Sequence, residues 1–323
     1  MISEETIRQQ LNNTIEKTNF PELGEKYTGK VRDNYMQGAR RIIITTDRIS
    51  AFDRVLGTIP FKGSVLNQLA VFWFEKTKGI CQNHIIDVPD QNVMVAKECK
   101  PLPVEVVVRG YITGVTTTSL WQNYHKGLRD IYGLKFPDGL VKNQKLDKPI
   151  ITPTTKAEQG RHDRPISREE IINEGLVDRI TYEKIEKIAL SLFEDGTKFC
   201  AKNDLILVDT KYEFGIYNGE ITLMDEIHTP DSSRFWIKSS YDCLFNEGKE
   251  PEKLDKEYVR VWLANQGYAG NGHPPKLTDG LRIEAAKKYI RAYEKITGET
   301  FKAEPGKVLE RIRKNLIEKG YLK

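Results

Sequence analysis

Residues 204–236, DLILVDTKYEFGIYNGEITLMDEIHTPDSSRFW, hold the densest group of side chains in the chain that could do chemistry. The apolar run Leu205–Val208 leads into Asp209, Lys211 and Glu213. The turn dipeptide Asn218-Gly219 follows, and a second apolar run ends at Asp225-Glu226. This pattern predicts a β-hairpin with acids and one lysine at its open end. Carboxylates grouped in this way are costly unless they bind a cation. Mg2+ takes a few such oxygens together with phosphate oxygens and waters. Ser232, Ser233 and Arg234 come next and suit an anionic substrate. The plainer alternative is a solvated hairpin end with ordinary surface acids.

Register separates the two readings. A two-residue turn pairs Tyr217 with Glu220 and puts Glu213 on the face of Met224 and Glu226. A three-residue turn with Gly219 in a left-handed bulge pairs Ile216 with Glu220 and unites Lys211, Glu213 and Asp225. The sequence leaves both open.

Other segments carry weaker signals of the same kind. Gly29-Lys30 in YTGKVRD (27–33) suits a backbone closing over phosphates, with the lysine as a point charge, or an exposed turn. Asp47 and Asp53 in TTDRISAFD (45–53) follow an apolar strand and belong at a cleft rim or in capping turns. Arg109 ends the apolar run Val104–Val108, where it needs an anion: Glu105, Asp53 or a ligand carboxylate. Thr113–Ser119 open a helix with hydroxyls, for an anion or for simple capping. His162 sits beside Asp163, but there is no nucleophile motif to complete a triad. Trp236, Tyr258 and Trp262 read as core packing.

The elements that would position these residues are legible in outline. Ile7, Leu11 and Ile15 after Ser3 predict a short helix. Residues 24–61 read as strands and turns, and Val65–Phe74 as a helix. Val93–Val95 and Val104–Val108 read as strands, with Pro101 and Pro103 as a hinge between them. We place a lobe boundary there, at 1–102 and 103–323. Residues 116–126 read as a helix, 130–168 as a functional loop, and Ile171–Gly196 as one amphipathic helix closed by glycine. Helices are expected from Asp255 to Gly267, over Ala285–Thr297, and from Val308 to Gly320.

Composition narrows the class. With 323 residues, 30% charged and 39% hydrophobic, the chain can bury a substantial core. A net charge of +4 without basic blocks argues against nucleic acid as a partner. The apolar runs are too short to span a membrane and the N-terminus lacks a signal core, so a cytoplasmic protein is expected. Cys81, Cys99, Cys200 and Cys243 lack zinc-ligand spacing and read as reduced thiols.

Taken together and in order, these segments resemble the SAICAR synthetase (phosphoribosylaminoimidazole-succinocarboxamide synthase) family, in its longer form. The resemblance runs through GKVRD at 29–33, TTDRISAFD at 45–53, PFKGSVLNQLAVFWF at 60–74 and PVEVVVRGYITG at 103–114. It continues through TPTTKAE at 152–158, LVDTKYEFG at 207–215, DEIHTPDSSRFW at 225–236 and YVRVWL at 258–263. It implies an α+β fold of two lobes: an ATP-binding lobe like that of protein kinases or ATP-grasp enzymes, and a mixed C-terminal lobe with a helical tail. It also implies a ligase of purine biosynthesis that joins L-aspartate to carboxyaminoimidazole ribonucleotide (CAIR). ATP and Mg2+ are used, and SAICAR, ADP and phosphate are formed through an acyl phosphate.

The resemblance assigns Gly29, Lys30, Val31, Lys100, Leu102, Glu105, Lys211 and Glu213 to ATP, and Glu213 and Asp225 to the metal. It assigns Asp47, Arg109, Thr117, Ser119, Lys156, Arg234 and Arg260 to the other substrates, and Lys211, Asp209 and Asp53 to catalysis. Arg161 and Arg164 around His162-Asp163 depart from the family pattern. A kinase is a competing reading, but HRDxxxxN and DFG are missing. A noncatalytic nucleotide sensor is another. The charged tail helices offer no large apolar patch, so a monomer is expected, with a dimer as the alternative.

Overall fold

The computed structural model describes residues 2–51, 54–115, 119–156, 164–254, 257–268 and 272–323; of residues 257, 258 and 260 it describes the backbone alone. Ser3 caps α1 (Glu4–Gln9), its hydroxyl accepting from the Thr6 N–H. A 3-10 turn at Gln10–Asn12 ends this helical stretch before Ile15. The strands β1 (Glu25–Thr28), β2 (Arg32–Gln37) and β3 (Arg40–Thr45) follow as a meander. A separate ribbon is made by β4 (Arg48–Ala51) and β5 (Arg54–Thr58), and then come α2 (Lys62–Thr77), β6 (Ile85–Asp90) and β7 (Val93–Lys97). The first sheet has the order β1-β2-β3-β7-β6 and is antiparallel throughout. Its side chains alternate as strand geometry requires. Ile42, Ile44, Val93 and Val95 face one way, and Ile43, Met94 and Ala96 face the core that contains α2.

The second sheet starts with β8 (Lys100–Tyr111). After α3 (Leu120–His125) come the short strands β9 (Asp130–Ile131), β10 (Leu134–Lys135), β11 (Lys145–Ile151) and β12 (Thr154–Thr155), so the stretch expected as a loop is partly ordered into strands. Then follow α4 (Arg168–Asn173), α5 (Arg179–Lys202), β13 (Leu205–Tyr217), β14 (Glu220–Met224) and β15 (Ser233–Ile237). The order is β11-β8-β13-β14, with β12 also on β8 and β15 also on β13. Pro101 and Pro103 lie inside β8 and are not a hinge between strands. The β8–β13 register shifts between Glu213 and Gly215 opposite them, and a ladder irregularity tolerates residues without an N–H. The sheets therefore change over at Glu98–Cys99, and the expected boundary at 102/103 falls within a strand.

The single helix expected over 171–196 is two. A Ser167–Glu170 capping box starts α4, Gly175 breaks the chain at φ 68°, and Asp178 caps α5 afresh. Gly196 closes nothing; it lies inside α5, which runs on to Lys202. Its role is close approach, since a Cβ there would stand 2.4 Å from Cε1 of His228.

The tail forms α6 (Lys238–Asn246), α7 (Glu257–Asn265), α8 (Asp279–Thr297) and α9 (Val308–Glu318). Thr278 caps α8, and Gly298 ends it at φ 76°. The tail does not simply extend the second lobe. Helix α8 packs on α2, and Val308, Ile312 and Leu316 of α9 cover Ile42, Ile44, Val93 and Val95 of the first sheet. Trp236 stacks with Tyr241, whereas Trp262 packs against the main core, so they form no common cluster; the Tyr258 side chain lies outside the described residues. All four cysteines are free, Cys243 alone being exposed. Among the described residues no helix is long and apolar enough to cross a membrane.

The His228 ring beside Gly196 is fixed by the Tyr212 hydroxyl at 2.6 Å from Nε2 and by the edge-on Trp73 ring. It cannot yield to a methyl group. Gly196→Ala is expected to cost about 1–3 kcal/mol, read as a lowered urea midpoint at unchanged slope.

Candidate active site

One face of β13 carries Asp209, Lys211 and Glu213, and the adjacent face of β8 carries Arg109, Val107 and Glu105 directly opposite them. The other face of both strands is apolar, with Val104, Val106, Val108, Tyr212 and Phe214 in the core shared with α5. Strand alternation thus sorts the chain into one greasy and one charged surface. Asp209 and Glu213 are nearly buried there, so each needs cationic partners.

The partners form a ladder. Asp209 Oδ2 accepts from Arg109 at 2.7 Å and from Arg234, its neighbour across β15, at 2.5 Å. Arg109 also donates to Thr152 Oγ1 at 2.8 Å. The anion that Arg109 requires is therefore internal and is Asp209; Glu105 is engaged by Lys211 at 2.7 Å, and Asp53 lies outside the described residues. Lys211 Nζ reaches Glu213 at 2.5 Å and Asp225 at 3.9 Å, and Lys156 pairs with the second oxygen of Glu213.

The hairpin has the two-residue register, with Tyr217 opposite Glu220 and Glu213 opposite Met224. A continued strand would throw Asp225 to the far face. Instead β14 stops at Met224, and Asp225 adopts φ 67°, a left-handed conformation uncommon for a residue other than glycine. That turn brings Asp225 back to Lys211. Arg32, from β2, binds both Asp225 and Glu226 and so ties the first sheet to the hairpin end.

Lys211, Glu213, Lys156, Asp225, Glu226 and Arg32 line one cleft of about 370 Å3 between the sheets, whereas Arg109, Asp209 and Arg234 stand further along the same strand face, outside its lining. Gly29, Lys30, Val31 and Arg32 form one wall, and Lys156, Lys211, Glu213, Asp225 and Asp231 lie across from it. Lys97, Cys99 and His84 close another side. Lys100 and Leu102 begin β8 just beyond Cys99.

The electrostatics follow from enclosure and crowding. Burial works against the Lys211 ammonium, but Glu213, Asp225 and Glu105 outweigh it and hold its pKa well above the ordinary value. For Glu213 burial is likewise outweighed, here by Lys211 and Lys156, and its carboxyl falls far below the usual range. Asp225 moves the other way. Burial, with Glu213 and Glu226 adding repulsion, pushes it up to about 7 despite Arg32. Burial drives His84 down to about 3, a neutral imidazole.

Several expected residues stand elsewhere. Asp47 is buried and accepts the N–H groups of Ile15 at 2.8 Å and Gly63 at 2.9 Å, fastening the start of α2. Burial raises its carboxyl to about 6. Ser119 caps α3 by accepting from the Gln122 N–H. Thr117, His162 and Arg161, and the side chain of Arg260, lie outside the described residues. Arg164 pairs with Glu174 at the surface. The residue-type reading gave no part to Arg32 or His84 and counted Glu226 only among the acids at the hairpin end. GKVRD and Asp225-Glu226 contained two of these signals, but nothing in sequence joins them across 193 positions.

The comparisons with known proteins bear on this cleft. The family model described as SAICAR synthetase matches residues 25–276, a span that includes every cleft residue named above. This chain belongs to the SAICAR synthetase family. A phosphoribosylaminoimidazole-succinocarboxamide synthase of Legionella pneumophila (strain Paris) is 50% identical over 306 residues, covering 94% of this chain and 97% of the relative. One from Bacteroides thetaiotaomicron is 47% identical, covering 93% and 96%. Among solved structures, the Saccharomyces cerevisiae SAICAR synthase complexed with SAICAR aligns with a TM-score of 0.78 at 32% identity, over 90% of this chain and all of that one. A SAICAR synthetase in complex with ADP aligns with a TM-score of 0.65 at 27% identity, over 86% of this chain and all of that one. Membership makes the chain a ligase of purine biosynthesis with the α+β fold of these enzymes.

The raised Asp225 gives a pH dependence of stability. In the unfolded chain its carboxyl ionises near 3.8, whereas the folded one keeps its proton to about 7. The unfolded state therefore binds fewer protons in this window, and the group destabilises the fold progressively as pH rises from about 4 to 7. Asp225→Asn removes this titration. Its stability relative to the parent should rise steadily across that window in denaturant melts; a difference flat with pH would refute the shift.

Proposed function

We propose that the cleft binds ATP against the Gly29–Val31 loop and Lys211, and that CAIR and L-aspartate occupy the neighbouring charged floor around Arg109, Asp209 and Arg234. The observation that carries this reading is the pair of ion-pair groups on one face of β8 and β13, Arg109–Asp209–Arg234 and Glu105–Lys211–Glu213–Asp225, which sets two arginines beside a cleft walled by Lys30 and Arg32. The ADP and SAICAR held by the two structural relatives support it. Lys30, Val31, Lys100, Leu102 and Glu105 complete the nucleotide end in this proposal. Asp47, Thr117, Ser119, Lys156 and Arg260 belong to the substrate side, and Asp53 joins Asp209 and Lys211 as a catalytic group.

The residues also fit Mg2+. Glu213 and Asp225 direct hard oxygens at one point, marked here by the Lys211 ammonium lying within 4.0 Å of both. Among the described residues no group of three or more His, Cys, Asp and Glu side chains could hold a metal by itself. Two carboxylates are the usual protein share when phosphates supply the rest. When bound there, the ion neutralises charge on the nucleotide phosphates.

A carboxylate is a poor electrophile. The CAIR carboxylate oxygen attacks the γ-phosphorus of ATP, ADP leaves, and an acyl phosphate results. The aspartate amine then attacks the acyl carbon, phosphate leaves, and the nitrogen loses a proton as the amide forms. The chain's task is to align three anions and to balance the moving charge with Lys211, Lys156 and the arginines, so no protein nucleophile is required. Arg109 and Arg234, released from Asp209, provide planar forks for carboxylate or phosphate.

Release of ADP should require CAIR and aspartate together, with a succinylated product; a stable phosphorylated product would favour the kinase reading. Glu213→Gln should lower kcat by about 100-fold or more. Arg109→Lys should raise KM for CAIR by about tenfold, as expected for a lost charge-assisted hydrogen bond. Steady-state kinetics that leave both parameters at the parent values would overturn these assignments.

A further inference from the structure

The wall formed by Gly29, Lys30 and Val31 does not hold its own shape. Gly29 N–H closes a tight turn onto the Arg32 carbonyl at 2.8 Å, and the other anchors come from behind. Arg48, at the start of β4, is 4% exposed, and its guanidinium is spent almost wholly on backbone. Its Nη2 donates to the Gly29 carbonyl and its Nε to the Lys30 carbonyl, both at 2.9 Å. Nη1 donates to the Glu16 carbonyl. The Val31 carbonyl is taken by the Thr46 N–H at 2.9 Å and by Thr46 Oγ1 at 2.8 Å. The charge of Arg48 is balanced by Asp33, which is fully buried and 2.9 Å from Nη2. Asp33 is held in turn by Thr18 and Lys26.

Three consecutive carbonyls are thus drawn toward the interior. No peptide bond described here is cis, and in a trans peptide the N–H of the next residue points opposite to the carbonyl. The amides of Lys30, Val31 and Arg32 are therefore turned toward the cleft that these residues line. Successive N–H groups facing one way make a concavity for anionic oxygens. A flexible Gly-Lys turn could present such a surface only part of the time. A rigid planar fork behind it makes the orientation permanent.

We infer that Arg48 is a positioning residue that orients the backbone amides of residues 30–32 toward the phosphates of the nucleotide. This rests on the proposal that the loop faces the ATP phosphates. Lysine in its place keeps a charge for Asp33 but offers one donor centre, so it cannot hold two loop carbonyls and the Glu16 carbonyl together. Its effect falls on phosphate recognition and spares adenine and the other substrates.

The test compares ADP with adenosine by calorimetry on the full chain, for the parent and for Arg48→Lys. The parent should bind ADP far more tightly than adenosine. Arg48→Lys should weaken ADP by about tenfold or more, in line with lost charge-assisted hydrogen bonds, while adenosine binding stays within about threefold. In turnover, KM for ATP should rise while KM for CAIR and for aspartate stays close to the parent. Thr46→Val removes one loop anchor without touching the buried charges and should weaken ADP alone, by a smaller factor; it decides the matter if Arg48→Lys fails to fold. A parent that binds adenosine as well as ADP would overturn the phosphate reading and this inference with it. A parent that discriminates, with folded variants that discriminate equally well, would overturn the role of Arg48 only.

Discussion

The constraint on which the structure turns is the placing of charge on one face of two central strands. Asp209, Lys211 and Glu213 on β13 meet Arg109 and Glu105 on β8 where little water reaches them. Isolated, each would be costly. The chain meets the cost by alternating signs along β13, where Lys211 bridges the facing Glu213 and Glu105, so that each charge has an opposite neighbour at hydrogen-bond distance. The same alternation sends the valines of β8 and the aromatics of β13 into the core against α5. The core and the charged floor are two sides of one pattern, and neither can change register without ruining the other.

The remaining architecture brings the first sheet to this floor. Arg32 reaches from β2 to the Asp225–Glu226 corner. The left-handed turn at Asp225 aims that corner, and the stretch after it is steadied by the His228–Tyr212 contact. Asp47, meanwhile, fastens α2 beneath the cleft, and Arg48 beside it fastens the glycine-lysine wall. A four-residue segment, Thr45–Arg48, therefore serves as the back plate of the Gly29–Val31 wall.

Much of this was legible in residue order, for identifiable reasons. The hairpin, α2, α8 and α9 are local and strongly patterned, and caps and glycines mark most of their ends. The split at Gly175 was missed because the apolar repeat continues across it; positive φ at one glycine outweighed the pattern. Asp225 does stand beside Lys211, although sequence could not choose its register. The three-residue register that would have put it on the face of Lys211 was unnecessary, because one strained residue repositions it. In TTDR the aspartate drew notice and the arginine did not. A buried arginine holding carbonyls has no sequence signature, since its partners are peptide groups that every residue has. Long-range pairs such as Arg32 with Asp225 are set by topology, which local patterning does not encode.

The seating of α9 on the first sheet has a consequence for biosynthesis. Ile42, Ile44, Val93 and Val95 are made early, and their cover, Val308, Ile312 and Leu316, is more than two hundred positions later. During translation the first sheet can pair its strands and pack α2, and Ile15, Phe20 and Leu23 can cover part of its outer apolar face, yet the rest stays open until residues beyond 308 have left the ribosome. At about 5–20 residues per second that is an interval of tens of seconds. A half-made chain of this kind exposes apolar surface, and the Gly29–Val31 wall is completed on a sheet whose last buttress arrives with the tail.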